Sequence, residues 1–424
     1  MSKNRLKHID RPELLVPLSG WKSLYKKGKV LQNGDAFYFG LKSNFSMRAR
    51  ANNFETKDVG KLSKLIHKRE KKLYLCTNIV IYNNELEELK KIIRVAKDNE
   101  IDAIICHDLA SIEIAKKIGI PFHISTQANI SNYVSAQFYN KLGAERLILS
   151  RELNLKQIKE ILEKTNIEIE VFIHGAMCTA ISGRCYFSSE IMGHDVEFSA
   201  NRGRCVQPCR RYYRLVGEES EEIEFVRGKE GLFFNAKDLC MIEHIEELMI
   251  TGIHAFKIEG RMRDPLYIAE TASCYREAID SVLNKTYSQK KIRLWLNRLE
   301  NVFNRGFHTG YYFSRPHLND IQFTQRGNVS KKTKQYVGKV TNYYRKSQAV
   351  EIDMHSGQIS LGDRLIFENK GDFFHEMVIK SMQVNDSSIK ITENASSDNH
   401  IVVGIKVEQR IPKNAMVSVL IENN

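Results

Sequence analysis

Short apolar runs alternate with amphipathic stretches through the first 260 residues of the chain. Eight of the runs have the length of strands, and most are separated by segments with helical periodicity, such as 84–99 and 154–165. Strands separated by helices are typical of right-handed βαβ units in a parallel sheet. The predicted strands are LLVPL (14–18), AFYFG (36–40), LYLCTN (73–78), AIICHD (103–108), FHIST (122–126), RLILS (146–150), IEVFIHG (169–175) and AFKIEG (255–260).

The number of these strands favours a closed (β/α)8 barrel, although a doubly wound sheet has the same local pattern. No GxGxxG or GxxxxGK(S/T) motif follows any of the strands, so the common nucleotide-binding folds lose support. We therefore predict an α/β fold with a TIM-like catalytic barrel over residues 1–325.

Polar side chains gather where the predicted strands stop. In a parallel barrel the carboxyl ends of the strands share one face, on which active sites are built. A hydrogen bond within a loop accounts for any single one of these residues, but their repetition marks one mouth of the barrel as the working face. The strand-end residues are Asn78, His107, Asp108, Ser125, Thr126, Gln127, Ser150, Arg151, His174, Glu259 and Arg261.

The regular spacing is interrupted once, by a cysteine-rich insertion at about 176–254. About eighty residues separate the seventh predicted strand from the eighth, far more than a βα loop needs. The insertion begins directly after the seventh strand, so its first residues should lie at the working mouth. It contains C-x6-C followed by C-x3-C and a run of arginines. Its cysteines are Cys178, Cys185, Cys205, Cys209 and Cys240.

The last part of the chain has a different pattern. Residues 262–283 have helical character, and a basic and aromatic connector follows them. From about residue 336 the chain consists of short period-two runs separated by Gly, Asn and Asp turns, which indicates a small all-β barrel. We predict this C-terminal domain over 336–424 and a linker over 326–335.

Composition and charge limit the classes of partner. No apolar run approaches the ~18 residues of a membrane span, and the N-terminus lacks an apolar signal segment, so we expect a cytoplasmic protein without a membrane partner. The net charge is +13, and residues 280–334 hold eleven basic and three acidic residues. Such an excess is either a solvated surface or a site for a polyanion such as RNA.

The cysteine spacing leaves three interpretations open. Structural zinc sites usually use C-x2-C pairs, and the insertion has none. Widely spaced cysteines suit an iron–sulfur cluster, which four thiolates hold, and nearby arginines would lower the thiol pKa values. Unrelated buried thiols are the third interpretation, and it is the preferred one for Cys76, Cys106 and Cys274, which fall inside predicted strands or a helix.

Several sequence blocks resemble one known family. The run EVFIHGAMCTAISGRCYFS (170–188) resembles the signature of the collagenase-like unassigned peptidases, family 32. The resemblance extends over nearly the whole chain. The other matching blocks are PELLVPLSG (12–20), GDAFYFGLKSNFSMRARANNF (34–54), HISTQANISN (123–132), LILSREL (147–153), NAKDLC (235–240) and KIEGRMRDPLYIA (257–269).

The resemblance favours RNA modification over proteolysis as the activity. Bacterial members of similar length act in prephenate-dependent formation of 5-hydroxyuridine at the wobble base of tRNA. Other members hydroxylate a cytidine of 23S rRNA, or serve oxygen-independent ubiquinone hydroxylation with a [4Fe–4S] cluster. By the motif of that last branch, the cluster ligands here would be Cys178, Cys185, Cys205 and Cys240, with Cys209 as an alternative to Cys205.

Two other classes of function remain open on the sequence. A cysteine peptidase would use Cys178 with His174 as its base, although the chain has no HExxH or GxSxG motif. A non-catalytic RNA-binding scaffold would explain why no acid–base pair can be identified. A partner subunit or a homo-oligomer is compatible with all of these classes.

The remaining candidate residues concern RNA and small-molecule binding. We expect basic residues of the insertion and connector to contact phosphates around an anticodon stem-loop, and Tyr212 and Tyr213 to stack on an exposed base. Arg48 and Arg50 could bind a small dicarboxylate, the prephenate-derived metabolite, through their guanidinium forks. Further candidates are Gln127 and Asn129 for base edges, Arg261 for substrate binding, His174 and Glu259 for proton transfer, and Arg202, Arg204, Arg210, Arg211 and Arg214 for phosphates.

Overall fold

The computed structural model describes residues 11–24, 29–43, 45–214 and 230–423. Contacts divide the chain into two compact units, of which the first runs to Val329 and the second begins at Ser330. Each unit is described separately below.

The first unit contains a closed barrel of eight parallel strands. The strand that begins at Ala255 pairs in parallel with both the first and the seventh strand, which closes the ring. The predicted (β/α)8 barrel is therefore confirmed. Its strands are β1 (Glu13–Pro17), β2 (Ala36–Phe39), β3 (Lys72–Thr77), β4 (Ala103–Cys106), β5 (Phe122–Ile124), β6 (Arg146–Ile148), β7 (Glu168–Ala176) and, after three short strands numbered below, β11 (Ala255–Ile258).

Helices lie between the strands, as the apolar periodicity predicts. In Leu86–Asp98 the buried residues Leu89, Ile92, Ile93 and Ala96 recur every three or four positions and form one apolar face. The described helices are α1 (Lys29–Asn33), α2 (Val59–His67), α3 (Leu86–Asp98), α4 (Leu109–Ile118), α5 (Tyr133–Lys141), α6 (Leu155–Lys164), α7 (Phe187–Ile191), α8 (Ile245–Ile250), α9 (Pro265–Leu283) and α10 (Gln289–Glu300).

Some strand-end residues hold loops and helix ends. Asp108 is the N-cap of α4, where its Oδ1 accepts from the backbone N–H of Ala110 at 2.9 Å and its Oδ2 accepts from Ile81 N–H at 3.2 Å. The Asn78 amide donates to Ser125 Oγ at 3.1 Å, which joins the loops after β3 and β5. These contacts fix the positions of the mouth loops.

The opposite end of the barrel, where the strands begin, contains a buried network of ion pairs. Arg146, at the start of β6, forms ion pairs with Glu13, Glu168 and Glu170. Lys257 on β11 contacts the fully buried Glu170, with Nζ and Oε1 2.8 Å apart. Each buried charge in this network has an opposite partner, which is the arrangement that limits the cost of taking charges out of water.

The insertion after β7 packs on the loops of the barrel mouth. It contributes the strands β8 (Tyr213–Arg214), β9 (Glu230–Gly231) and β10 (Asp238–Cys240), and β10 pairs antiparallel with the end of β7 and parallel with β12 (Phe307–His308). Gly183 and Gly203 both have positive φ, and a Cβ on either would overlap a backbone carbonyl oxygen, that of Gln127 or that of Ser46. Glycine thus allows the insertion to approach two loops of the mouth closely.

The second unit is an eight-stranded antiparallel sheet around its own core, which confirms the predicted all-β character. Val337, Val350, Leu365 and Val403 are fully buried there. The strands are β13 (Lys332–Tyr344), β14 (Ala349–Met354), β15 (Arg364–Glu368), β16 (Phe374–Val378), β17 (Met382–Val384), β18 (Ser387–Ile389), β19 (Ile401–Lys406) and β20 (Met416–Glu422), in the order β16-β15-β20-β13-β14-β19-β17-β18.

Two local expectations differ from the structure in this unit. Strand β13 begins at Lys332, inside the segment 326–335 that the sequence assigns to a linker. The period-two run EMVIKSMQV (376–384), which predicts one strand, instead contains the end of β16 and the whole of β17. Within the described ranges, no helix is both long enough and apolar enough to cross a bilayer.

Candidate active site

A small cavity of about 70 Å³ opens at the carboxyl ends of the barrel strands. Five of the candidate residues line it: Arg48, Gln127, Cys178, Glu259 and Arg261. Strand-end position predicted three of these, because the strand ends converge on one mouth. The other lining residues are Tyr38, Met47, Cys76, Asn78, Ile105, Ser125, Thr126, Ile148, Arg151, Phe172 and Lys257.

Arg48 and Glu259 form an ion pair in the wall of this cavity. Arg48 Nε lies 2.9 Å from Glu259 Oε1, and both side chains are largely buried. Burial opposes ionisation of Glu259, but the guanidinium groups of Arg48, Arg151 and Arg261 hold the pKa of this carboxyl below its ordinary value. Glu259 is therefore a charged hydrogen-bond acceptor near neutral pH, not a donor of protons.

Cys178 lies at the edge of the cavity beside Arg151. The Arg151 guanidinium is held in place because it donates to Ala176 O at 3.1 Å and to Ser182 Oγ at 2.9 Å. Desolvation opposes ionisation of the Cys178 thiol, but the charges of Arg151 and Arg48 lower its pKa below the ordinary value. Such a thiol is a good metal ligand and nucleophile.

Three further thiols form a group with Cys178, which we call the four-thiol group: Cys178, Cys185, Cys205 and Cys209. Burial is the main cause that raises the pKa values of Cys185 and Cys209, and the other thiols of the group raise these values further. The pKa of Cys209 is about 11. Hydrogen bonds from the backbone N–H groups of Phe187 and Ser188 lower the pKa of Cys185. Gln207 N–H donates to Cys205 Sγ at 3.2 Å.

The spacing within this group is wider than a single metal ion requires. In the described part of the chain, no three cysteine sulfurs lie within 4.8 Å of one another. Four sulfurs bound to one zinc ion at about 2.3 Å would lie closer together than this. Four thiols with N–H donors to two of their sulfurs are a donor set that can hold an iron–sulfur cluster.

Cys240 has different surroundings from the four-thiol group. Its side chain is buried, with 6% exposure, and burial raises its pKa to about 12. Tyr275 Oη lies 3.7 Å from its sulfur, and the acidic groups that act on it are Glu243 and Glu300. The structure thus brings Cys178, Cys185 and Cys205 together with Cys209, whereas the family motif selects Cys240 as the fourth ligand.

His174 is also buried outside the lining of the cavity. Its Nδ1 lies 3.2 Å from Tyr275 Oη, and its ring packs against those of Tyr267, Tyr275 and Phe307. The Tyr275 hydroxyl donates to Ile173 O, so we assign the proton of the histidine to Nδ1. Burial lowers the pKa of His174 to about 4, so the ring is neutral near pH 7.

Most candidate arginines of the insertion are bound within the protein. Arg202 forms a salt bridge with Glu85 and donates to Val80 O at 2.7 Å. Arg210 is buried and donates to the carbonyl oxygens of Met177 and Ala236. Arg202 thus fastens the insertion to a loop of the barrel, whereas Arg210 joins two segments within the insertion, so neither side chain is available for phosphates.

The arginines nearer the rim are also partnered. Arg204 forms an ion pair with Glu197. Arg50 donates to the backbone carbonyls of Arg204 and Glu197, at 3.2 and 3.4 Å, and its guanidinium lies over the Phe198 ring. The Arg50 side chain therefore holds the rim of the insertion, while Arg48 faces the cavity.

An arginine and a tyrosine of the same run are exposed. Arg211 is open to solvent, and Tyr212 has 57% of its surface exposed. Tyr213 instead packs against Phe187 and Phe234, and its hydroxyl donates to Pro208 O at 2.9 Å. The side chain of Arg214 lies outside the described residues.

Two other candidate residues, Arg261 and Asn129, shape the loops at the mouth of the barrel. Arg261 donates to Met47 O at 2.7 Å, to Ser46 Oγ at 3.0 Å and to Asn53 Oδ1 at 2.6 Å, so it shapes the loop that carries Arg48. Asn129 has φ of 50° and ends the short turn that positions Gln127.

Sequence reasoning did not select Arg151 and Lys257 for the site. Arg151 was recognised only as a residue at a strand end, and its contact with the insertion could not be read from its position. Lys257 lies inside the buried strand β11, and a lysine within an apolar run was the signal that could have identified it.

Comparison with known proteins identifies the family of this chain. The sequence profile of peptidase family U32 matches residues 23–322. Because this match covers well over half of the chain, the chain belongs to peptidase family U32.

The relatives have names from different functional classes. A protein of Methanocaldococcus jannaschii named as an uncharacterized protease is 39% identical over 97% of this chain and 98% of its own. A collagenase of Porphyromonas gingivalis is 35% identical over 94% of this chain and 95% of its own. The tRNA hydroxylation protein P1 of Bacillus subtilis is 33% identical over 82% of this chain and 81% of its own. The first of these is archaeal, so the similarity extends beyond bacteria.

Proposed function

We propose that this protein is an RNA-modifying enzyme that hydroxylates C5 of the wobble uridine in tRNA and depends on a prephenate-derived metabolite. The observation that carries the proposal is a four-thiol group at the edge of a cationic cavity in the barrel mouth. Support for the reaction class comes from relatives named tRNA hydroxylation protein, one of which, from Helicobacter pylori, is 36% identical over 73% of this chain.

The four-thiol group is the proposed site of a [4Fe–4S] cluster. Four thiols, N–H donors to two of the sulfurs, and the nearby arginines suit an anionic thiolate assembly. When bound, such a cluster supplies one-electron redox chemistry. We propose Cys209 as the fourth ligand because it is the thiol that lies with the other three, and Cys240 is the alternative.

The cavity is the proposed site for the small metabolite and the target base. Arg151 and Arg48 provide the positive charge that a carboxylate requires, and Glu259 keeps the Arg48 guanidinium oriented. Gln127 lies on the wall with both an amide donor and a carbonyl acceptor, which suits the edge of a uracil.

The RNA backbone would bind next to this mouth. Arg211 is an exposed cation and Tyr212 an exposed ring on the insertion. Phosphate contact by arginine and stacking on tyrosine are the usual means of binding single-stranded RNA loops.

Nucleoside mass spectrometry of tRNA from a strain that lacks the gene tests the proposal. We expect 5-hydroxyuridine derivatives to be lost, to return with the wild-type gene, and to remain absent with Cys178→Ser. Unchanged tRNA nucleosides in the deletion strain would refute the proposal.

Two relatives give specific alternatives. The 23S rRNA 5-hydroxycytidine synthase of Escherichia coli is 32% identical over 73% of this chain, so loss of hydroxycytidine from 23S rRNA would favour that substrate. The relatives named collagenase favour proteolysis. Against a cysteine peptidase, Cys178 is surrounded by guanidinium groups, while His174 is neutral and buried beside Tyr275. Loss of gelatin cleavage with unchanged RNA would establish the peptidase alternative.

A further inference from the structure

Three side chains of the second unit form a compact cluster of metal-binding groups, which we call the 353–400 triad: Asp353, His355 and His400. One ligand atom from each residue lies within 4.8 Å of the other two. His355 Nε2 is 2.9 Å from Asp353 Oδ2, and His400 Nδ1 is 3.2 Å from Asp353 Oδ1. The carboxylate is thus contacted by an imidazole on each of its two oxygens.

The register of the sheet produces this arrangement. Strands β14 and β19 pair antiparallel, with Met354 opposite Ile401, and His355 and His400 are the next residues beyond this pair. The two imidazole rings stack with centroids 4.5 Å apart and an angle of 26° between their planes. Asp353 lies two residues before His355, so the pleat directs both side chains to one face of the sheet.

A neighbouring hydroxyl orients one of the two imidazoles. Tyr336 Oη lies 3.4 Å from His355 Nδ1, while Nε2 of the same ring faces Asp353. Histidines that bind metal commonly donate their second ring N–H to an oxygen, which fixes the tautomer and the ring plane. His355 has this arrangement, and its Nε2, which lies 2.9 Å from Asp353 Oδ2, would become the ligand atom when a metal ion replaces the proton between the two atoms.

We propose that the 353–400 triad binds a divalent transition-metal ion, with Zn²⁺ as the preferred ion. Two imidazole nitrogens and one carboxylate oxygen are a frequent zinc donor set, and they lie close enough for bonds of about 2.0–2.2 Å after small side-chain shifts. His400 is 46% exposed, so water can complete the coordination. The cation of Lys339, opposite Asp353 in the register, is exposed and can remain solvated.

The bound ion would connect strands β14 and β19 near one end of their ladder. Since the ion binds the folded arrangement and not the separated strands, it would stabilise the second unit against unfolding. This site is independent of the proposed RNA chemistry, because it uses no residue of the first unit.

Zinc counting on the full-length protein tests the proposal. The chain is dialysed against Zn²⁺, and the bound zinc is measured by mass spectrometry for the wild type, His400→Ala and His355→Gln. Both substitutions leave the cysteines unchanged, so we expect any zinc on the thiols to cancel in the difference, which then reports the triad. We expect each variant to hold one zinc fewer per chain than the wild type, and excess Mg²⁺ not to change this difference.

A second histidine–carboxylate pair provides the matched control. His67 Nε2 also lies 2.9 Å from a carboxylate oxygen, Asp102 Oδ2, but in the described chain it belongs to no three-residue cluster of this kind. His67→Ala should bind as much zinc as the wild type. Equal zinc in the wild type and His400→Ala, or an equal loss in His67→Ala, would overturn the proposal.

Discussion

The two ends of the barrel both hold buried charges, but they differ in how those charges are used. At the base, Arg146 is enclosed by three carboxylates, and Lys257, which also reaches the lining of the mouth cavity, joins the network through Glu170. At the mouth, arginines outnumber carboxylates, and Arg151 and Arg48 border an open cavity. The base has the composition of a structural network, and the mouth that of an anion site. Whether a buried charged residue has a structural or a ligand-binding role is therefore better judged from the number of opposite charges around it than from its burial.

The largest effect is expected at the base. Arg146→Met removes the main cation of Glu13 and one of the two cations of Glu170, and breaking a buried ion pair in this way should lower the free energy of unfolding by about 3–5 kcal/mol. Chemical denaturation measures it. The control is Lys72→Met, because this lysine contacts Glu13 from an exposed position, at 3.8 Å. It should change the stability by less than about 0.5 kcal/mol. Equal losses of unfolding free energy in Arg146→Met and Lys72→Met would mean that the buried ion pairs of Arg146 do not stabilise the barrel.

The next effect concerns the thiols at the mouth. Cys178→Ser should reduce RNA hydroxylation by roughly 100-fold, which corresponds to about 2.7 kcal/mol of activation free energy, with little change in stability. Iron content after anaerobic purification identifies the fourth ligand. If Cys209 is the ligand, Cys209→Ser should lose iron and Cys240→Ser should retain it. The reverse result would assign the ligand to Cys240, as in the family motif.

A smaller effect is expected from the carboxyl of Glu259. Its pKa is held below the ordinary value in the folded protein, so its contribution to stability is present above the pKa of the unfolded chain. That contribution is lost as the pH falls through the folded pKa. The wild type should therefore lose more stability on acidification below about pH 4.3 than Glu259→Gln does, in denaturation curves at matched salt. Equal losses of stability in the wild type and Glu259→Gln would show that the pKa of Glu259 is not lowered in the folded protein.

The smallest effect is expected on the exposed surface. Arg211→Ala should weaken tRNA binding by a few fold at low salt and reduce the salt dependence of the affinity by about one counterion. Fluorescence anisotropy at several salt concentrations measures both quantities. Arg69→Ala is the control, because Arg69 is an exposed arginine just after α2, toward the base of the barrel. An equal weakening in both variants would show that only the net charge matters.

The sequence predicted the barrel well because its signal is local. Each strand is a short apolar run bounded by an amphipathic helix, and the ends of such runs share one face. Residues next to strand ends, such as Gln127 and Glu259, therefore reached the cavity as expected.

The details of the insertion could not be predicted in the same way. Arg210 donates to the carbonyl of Met177, 33 positions earlier, and Arg202 pairs with Glu85, 117 positions earlier. A backbone carbonyl has no sequence signature, so these arginines looked like a basic surface. The grouping of Cys209 with the other thiols likewise depends on how an aperiodic segment folds back. The sequence pattern thus indicated which residues carry the chemistry, but it did not indicate which of their side chains are exposed to solvent.

The close approach at Gly183 and Gly203 has a consequence for the order of assembly. The insertion meets the carbonyl groups of Gln127 and Ser46, which come from loops after two different barrel strands. We expect those loops to take their positions when the ring of strands closes, which would leave the insertion without a surface to pack on before then. The thiols would therefore be gathered late, and a newly made chain would finish its barrel before it could accept a cofactor. Cofactor delivery would then act on a nearly folded protein, and an early block in barrel folding would appear in the cell as a failure of metal loading.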